Sequence, residues 1–180
     1  MVGPKLNDER EVPLGGDEPR VGWCEGERMN PQTIERLDAL SSDMPVLVAG
    51  PVPDDEIDAA ELRVGRVFVP AYRLFMRRYG GAMVGSMPVL GLRRAEVMGD
   101  DLFSVVTVTE GFGADVWPAT DGWVVVSVDG AGNPIGIADD GGVWTSDHDF
   151  GGVGPIASSF EAFVLALLDG VDGDWERRSG

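Results

Sequence analysis

The chain has almost none of the side chains from which metal and covalent sites are built. Its 180 residues include one cysteine, Cys24, and one histidine, His148. A lone cysteine excludes an internal disulfide, and one of each residue falls short of the three or four His or Cys ligands a zinc site needs. Cys24 has Arg28 beside it and little else basic, a poor setting for a reactive thiol. No stretch approaches the roughly 18 apolar residues of a membrane span. The opening "MVGPKLNDEREVPLGGDEPR" lacks the apolar core of a signal peptide. A cytoplasmic location is the expectation, with no cofactor and no metal.

Positive charge is missing from a whole half of the chain. Between Ala95 and Glu176 there is no Lys or Arg, while 16 acids fall in the same span. The first 94 residues are near balance, with 15 acids against 12 bases, so the net charge of -17 is concentrated in the second half. Such a surface repels nucleic acid, whose binding requires phosphates to be neutralised by Lys and Arg. It attracts a basic partner and speeds the encounter at low salt. A solvated acidic face typical of the whole proteome is the competing explanation, and the ratio of 13 Arg to 1 Lys points to a compositional bias.

What is present is a globular composition, 43% hydrophobic and 8% aromatic, enough for one domain and an appendage. Residues 1–53 read as an N-terminal extension, partly disordered, with one short helix. In that helix, "NPQTIERLDALSS", Asn30 is the N-cap and Pro31 the first helical residue. Residues 54–170 read as the domain, and 171–180 as a tail that is acidic, then basic.

Within the domain, "DDEIDAAELRVG" is a helix with acids at its start and Gly65 at its end, carrying Ile57, Ala60, Glu61 and Val64 on one face. "VPAYRLFMRRYGG" is a second helix. Tyr72, Phe75, Met76 and Tyr79 form its core stripe, with Arg73 and Arg77 opposite. "MPVLGL" is a short strand; "WVVVSVD", "PIGIA" and "VWTS" form an antiparallel meander turned by "DGAGN" and "DDGG". "ASSFEAFVLALLDG" is the closing helix, with Ser158 and Glu161 as its capping box and Phe160, Phe163, Val164 and Leu167 as its apolar face. The stretch from Asp100 to Phe112 is ambiguous: its β-branched content favours a strand, while Leu102, Val105, Val106 and Thr109 also fit a helix.

In this order and spacing, "IDAAELRVG", "VPAYRLFMRRYGG", "WVVVSVDGAGNPIGI", "VWTSDHDF" and "IASSFEAFVLALL" resemble the SMI1/KNR4 family, the core of the SUKH superfamily. The resemblance spans Asp54 to Gly170. It implies an α+β fold, helices packed on a curved, mainly antiparallel sheet, and a helix within the ambiguous segment. Bacterial members look like immunity proteins that bind and block a toxin, often a nuclease. Fungal members look like regulators acting through protein contacts. Neither class is enzymatic.

The segment "WTSDHDFGG" invites three readings. As a metal site, alternation would turn His148 away from Asp147 and Asp149, and "DGAGNPIGIADDGG" lacks the ligand pattern of a calcium loop. As a catalytic fragment, consecutive Ser146, Asp147 and His148 cannot align nucleophile, base and orienter. As structure, the aspartates accept backbone N–H bonds in a turn, Phe150 enters the core and Gly151-Gly152 release the chain. The third reading is preferred. Contact with a partner is compatible with it, so Asp121, Asp129, Asp139, Asp140, Trp144, Asp147, His148 and Asp149 are the candidate partner-binding residues. Trp117, Trp123 and Trp144 are candidate anchors, set against plain core packing. The leading expectation is a toxin-binding immunity protein with a basic protein partner, no nucleic acid and no membrane. The alternative is a regulatory or scaffold interaction module.

Overall fold

The computed structural model describes residues 29–113, 116–147, 149 and 152–171. The expectations for residues 1–28, His148, Phe150, Gly151 and the tail from 172 lie outside that set. The architecture is α+β. Helices α1 (Pro31–Asp43), α2 (Asp54–Val64) and α3 (Pro70–Tyr79) come first, then a hairpin of β1 (Ala82–Val84) and β2 (Met87–Val89). After α4 (Val105–Gly111) come β3 (Val124–Val128), β4 (Pro134–Ile137), β5 (Val143–Ser146) and β6 (Val153–Ala157), and α5 (Phe160–Leu168) closes the order.

Local signals set the helix ends. The Asn30 side chain accepts from Gln32 N and Pro31 opens α1. Gly65 and Gly80 end α2 and α3 in the left-handed conformation. Ser104 caps α4 by accepting from Thr107 N, so the ambiguous segment is helical from Val105 onward and Leu102 lies outside the helix, exposed. The α4 helix is also bonded to the meander, because Thr109 Oγ1 accepts from Val125 N at 3.0 Å. At α5 the cap differs from the expected box: Ser159, not Ser158, accepts from Ala162 N. Glu161 is drawn elsewhere, its Oε1 accepting from Asn30 N and from the Thr33 hydroxyl. A long-range partner thus replaces the local one and ties α1 to α5.

The strands β3-β4-β5-β6 are antiparallel neighbours in that order, and β1 pairs with β2. Leu90 N donates to Val126 O at 2.8 Å and Ser127 Oγ to Pro88 O at 2.6 Å, which brings β2 alongside β3. All five residues of β3 are buried, as in a strand covered on both faces. β6, with its Gly154-Pro155 sequence, is an edge strand with exposed and half-buried residues. The core joins Tyr72, Phe75 and Tyr79 of α3 to Phe160 of α5; the Tyr72 and Phe160 ring centroids lie 4.9 Å apart. The Tyr72 phenol donates to Leu90 O, and burial pushes its pKa well above the usual value.

One crossing holds these pieces in place. Leu92 N and Arg93 N both donate to Gly80 O, at 2.8 and 3.0 Å, while Gly50 N donates to Tyr79 O and Ala49 N to Gly81 O. Gly91 N donates to Phe103 O and Val105 N to Gly91 O, which adds the entry of α4 to the same point. The backbones approach so closely that a Cβ on Gly91 would lie 1.8 Å from Gly80 O, and one on Gly80 would lie 2.0 Å from Gly50 O. Gly91→Ala is expected to lower unfolding stability by about 2 kcal/mol or more, through overpacking against backbone that has no rotamer to yield. Gly99→Ala, where a Cβ meets nothing within 4 Å, is expected to stay within about 0.5 kcal/mol. Urea unfolding of the two variants beside the parent chain measures both.

Candidate partner-binding surface

The meander sorts the candidate residues into two groups at opposite ends of the sheet. The pairings Val124↔Ile137, Ile137↔Val143 and Val143↔Ala157 define one end. Asp121, just before β3, and Asp139 and Asp140, between β4 and β5, lie there. Val128↔Pro134 and Ser146↔Val153 define the other end, where Asp129, Asp147 and Asp149 sit. Strands of four or five residues separate the groups by roughly 13–17 Å. His148 is outside the described residues.

The carboxylates at the second end hold turns. Asp129 Oδ1 accepts from Ala131 N at 2.9 Å and Asn133 N at 2.8 Å, and its Oδ2 accepts from Asn133 Nδ2 at 2.9 Å. Asp147 Oδ1 accepts from Asp149 N at 2.8 Å, and Asp147 N donates to Gly152 O. These are aspartate-centred turns in which the side chain replaces a backbone acceptor. For Asp147 the turn-building role expected from "DHD" is present.

The first end is arranged differently. Asp139 is ion-paired with Arg66. Asp140 Oδ1 accepts from Gly142 N at 2.9 Å and from Trp144 Nε1 at 3.3 Å. Gly142 makes this possible: a Cβ there would lie 3.0 Å from Trp144 Nε1 and 3.1 Å from Asp140 Oδ1. Trp144 is half-buried, and it lines an open groove of about 390 Å³ with Asp140, Pro155, Ile156 and Ser158. The other two indoles are committed to structure. Trp123 is buried over Gly136, whose Cβ would meet its ring at 3.0 Å, and Trp117 Nε1 donates to Ser146 Oγ at 2.8 Å.

The arginines elsewhere on the described surface are each paired with a carboxylate. Arg73 meets Asp58 and Glu61, Arg77 meets Asp54, Arg78 meets Asp38, and Arg93 meets Glu56. Arg63 meets Glu110, Arg36 meets Asp169, and Arg94 meets Asp100. The hydrogen bonds from Arg78, Arg93 and Arg63 hold Asp38, Glu56 and Glu110 below the ordinary carboxylate range. Every arginine among the described residues thus has a carboxylate within 4.0 Å. Among the described residues no arginine pairs with Asp121, Asp129 or Asp140 of the meander, nor with Glu35, Asp43, Asp55, Glu96 or Asp101 on the helical side. Exposed pairs of this kind add little stability each; their larger consequence is to remove cationic surface. Among the described residues no group of three or more His, Cys, Asp or Glu is placed to hold a metal ion, and no helix is long and apolar enough to cross a membrane.

Fold and surface together define an α+β protein whose described arginines are all ion-paired and whose antiparallel meander carries acids but no Lys or Arg. The model of the SMI1 / KNR4 family (SUKH-1) matches residues 51–166, well over half of the chain, and the chain belongs to that family. The match begins just before α2 and ends within α5, so α1 lies outside it although Leu37 is buried in the common core. No curated protein matches the chain. Membership of the family is consistent with a protein of the immunity type, which works by binding another protein.

The turn geometry separates carboxylates that build the fold from those that do not. Asp129→Ala is expected to cost about 1–3 kcal/mol, because it strips the acceptors from two backbone amides and the Asn133 side chain. Asp121→Ala is expected to change stability by less than about 0.5 kcal/mol. Thermal and urea unfolding of the two variants check the difference.

Proposed function

We propose that the chain is a non-enzymatic immunity protein that binds and neutralises a cognate toxin, a basic nuclease domain being the partner its charge fits best. The observation that carries this reading is the pairing of family membership with charge segregation. Every described arginine is spent on a carboxylate of the chain itself, while the meander carries no Lys or Arg and keeps Asp121, Asp129 and Asp140 without one. A nuclease domain must be basic to hold its polyanionic substrate, and an acidic protein can cover that cationic surface. The acidic face would then act chiefly on the rate of encounter, with apolar and aromatic contacts determining how long the complex lasts. On this reading the chain acts by binding and not by catalysis.

The test is capture of proteins from the native cell lysate by the tagged full chain at low and at moderate salt, with mass-spectrometric identification. The expected result is a basic toxin domain at low salt, reduced at moderate salt, whose activity falls when the chain is added. Recovery of an acidic or regulatory protein at either salt would overturn the toxin reading and favour a regulatory interaction module.

A further inference from the structure

The groove beside Trp144 has a chemistry that goes beyond general acidity. Its floor and walls are apolar and aromatic, from Trp144 of β5 and Pro155, Ile156 and Ala157 of β6. Asp140 stands at its rim, exposed, and its carboxylate is fixed rather than free to rotate. Its two bonds, from Gly142 N and Trp144 Nε1, both go to Oδ1, leaving Oδ2 without a donor among the described residues. A second opening of about 220 Å³ continues from the first, sharing Asp140 and Ser158 and reaching Phe160 and Glu161 on α5. Arg66, the cation on the far side of the β4–β5 turn, is bound to Asp139. A trough with an indole along one wall and an unanswered carboxylate at its midpoint is therefore open to solvent.

We propose that this trough is the docking site for an arginine side chain carried on an extended segment of the partner protein. The guanidinium would lie against the Trp144 ring and ion-pair with Asp140 Oδ2. The proposal rests on the reading of the chain as a binder of a basic protein and names the contact that reading lacks. Arginine fits better than lysine, because its planar, weakly hydrated guanidinium can stack on an indole and pair with a carboxylate at once. Docking by side chain is favoured over addition of a strand, because Pro155 has no amide to donate at the centre of the β6 edge. Gly142 is the positioning residue: without a Cβ it lets the indole lie against the turn and hold Asp140 in place.

The probe is a short, capped glycine-arginine peptide, titrated into the full-length protein at low salt and followed by two-dimensional amide and indole NMR. A peptide of the same length with citrulline for arginine is the neutral control. The expected result is movement of the Trp144 indole and the Gly141 and Gly142 amides with the arginine peptide, and none with citrulline. Asp140→Asn should weaken binding at least tenfold, and so should Trp144→Leu, the spectra confirming that each variant is folded. Shifts spread evenly over Asp121, Asp129, Asp147 and Asp149, with Trp144 unmoved, would overturn the proposal. So would an Asp140→Asn variant that binds as the parent does. The two readings fail separately. A basic toxin captured equally by the Asp140→Asn variant leaves the function standing and removes this site. Arginine-specific binding at Trp144 in a chain that captures no basic protein keeps the site and removes the toxin.

Discussion

The backbone crossing at Gly80 and Gly91 is the constraint on which the rest of the molecule depends. Four segments meet there: the Ala49–Gly50 arm, the end of α3, the exit from β2 and the entry to α4. Peptide groups bond peptide groups at a separation that leaves no room for side chains. Because Gly80 also ends α3, the aromatic stripe of that helix and the path of the chain towards the meander are set at one point. Tyr72 spans the same region from within, its hydroxyl on Leu90 O and its ring against Phe160. The helices are thereby held against β1 and β2, and the meander grows outward from β3 with β6 as its edge.

Charge follows this division. Arginines on α1, α2, α3 and the loops beside them lie near acids of neighbouring elements and are neutralised in pairs. The meander has no Lys or Arg of its own, and its Asp139 is reached by Arg66. At one end of the sheet Asp129 and Asp147 hold turns; at the other Asp140 holds the β4–β5 turn and also rims a groove, while Asp139 pairs with Arg66. The same residue type therefore does two kinds of work, and hydrogen-bond partners rather than abundance tell them apart.

Much of the fold was legible because local signals and core demand agreed. Asn30-Pro31, Gly65, Gly80 and the Tyr72–Tyr79 stripe each have one low-energy solution, and the turns at Asp129 and Asp140 stand out by composition. β6 was not legible, since Gly154 and Pro155 argue against a strand and an edge position alone tolerates them. The cap of α5 misled because Ser158 and Ser159 are adjacent, and Glu161 answers to α1 rather than to its own helix. Of the candidate surface, the residue types were readable but their division between two ends was not, because it depends on strand register. Nor could the sequence separate Trp144 from Trp117 and Trp123; that follows from Gly136 beneath one ring and Ser146 bonded to another.

The central claim is that the acidic meander, at its β4–β5 end, is the face that meets the partner. Amide hydrogen exchange of the full chain, alone and in complex with the protein it captures at low salt, tests it most directly. The account predicts slowed exchange across Asp139–Gly142, the β5 residues around Trp144 and the turn into α5, with the helical side unchanged. Protection confined to α1, α2 and α3, with those meander amides exchanging as in the free chain, would contradict it.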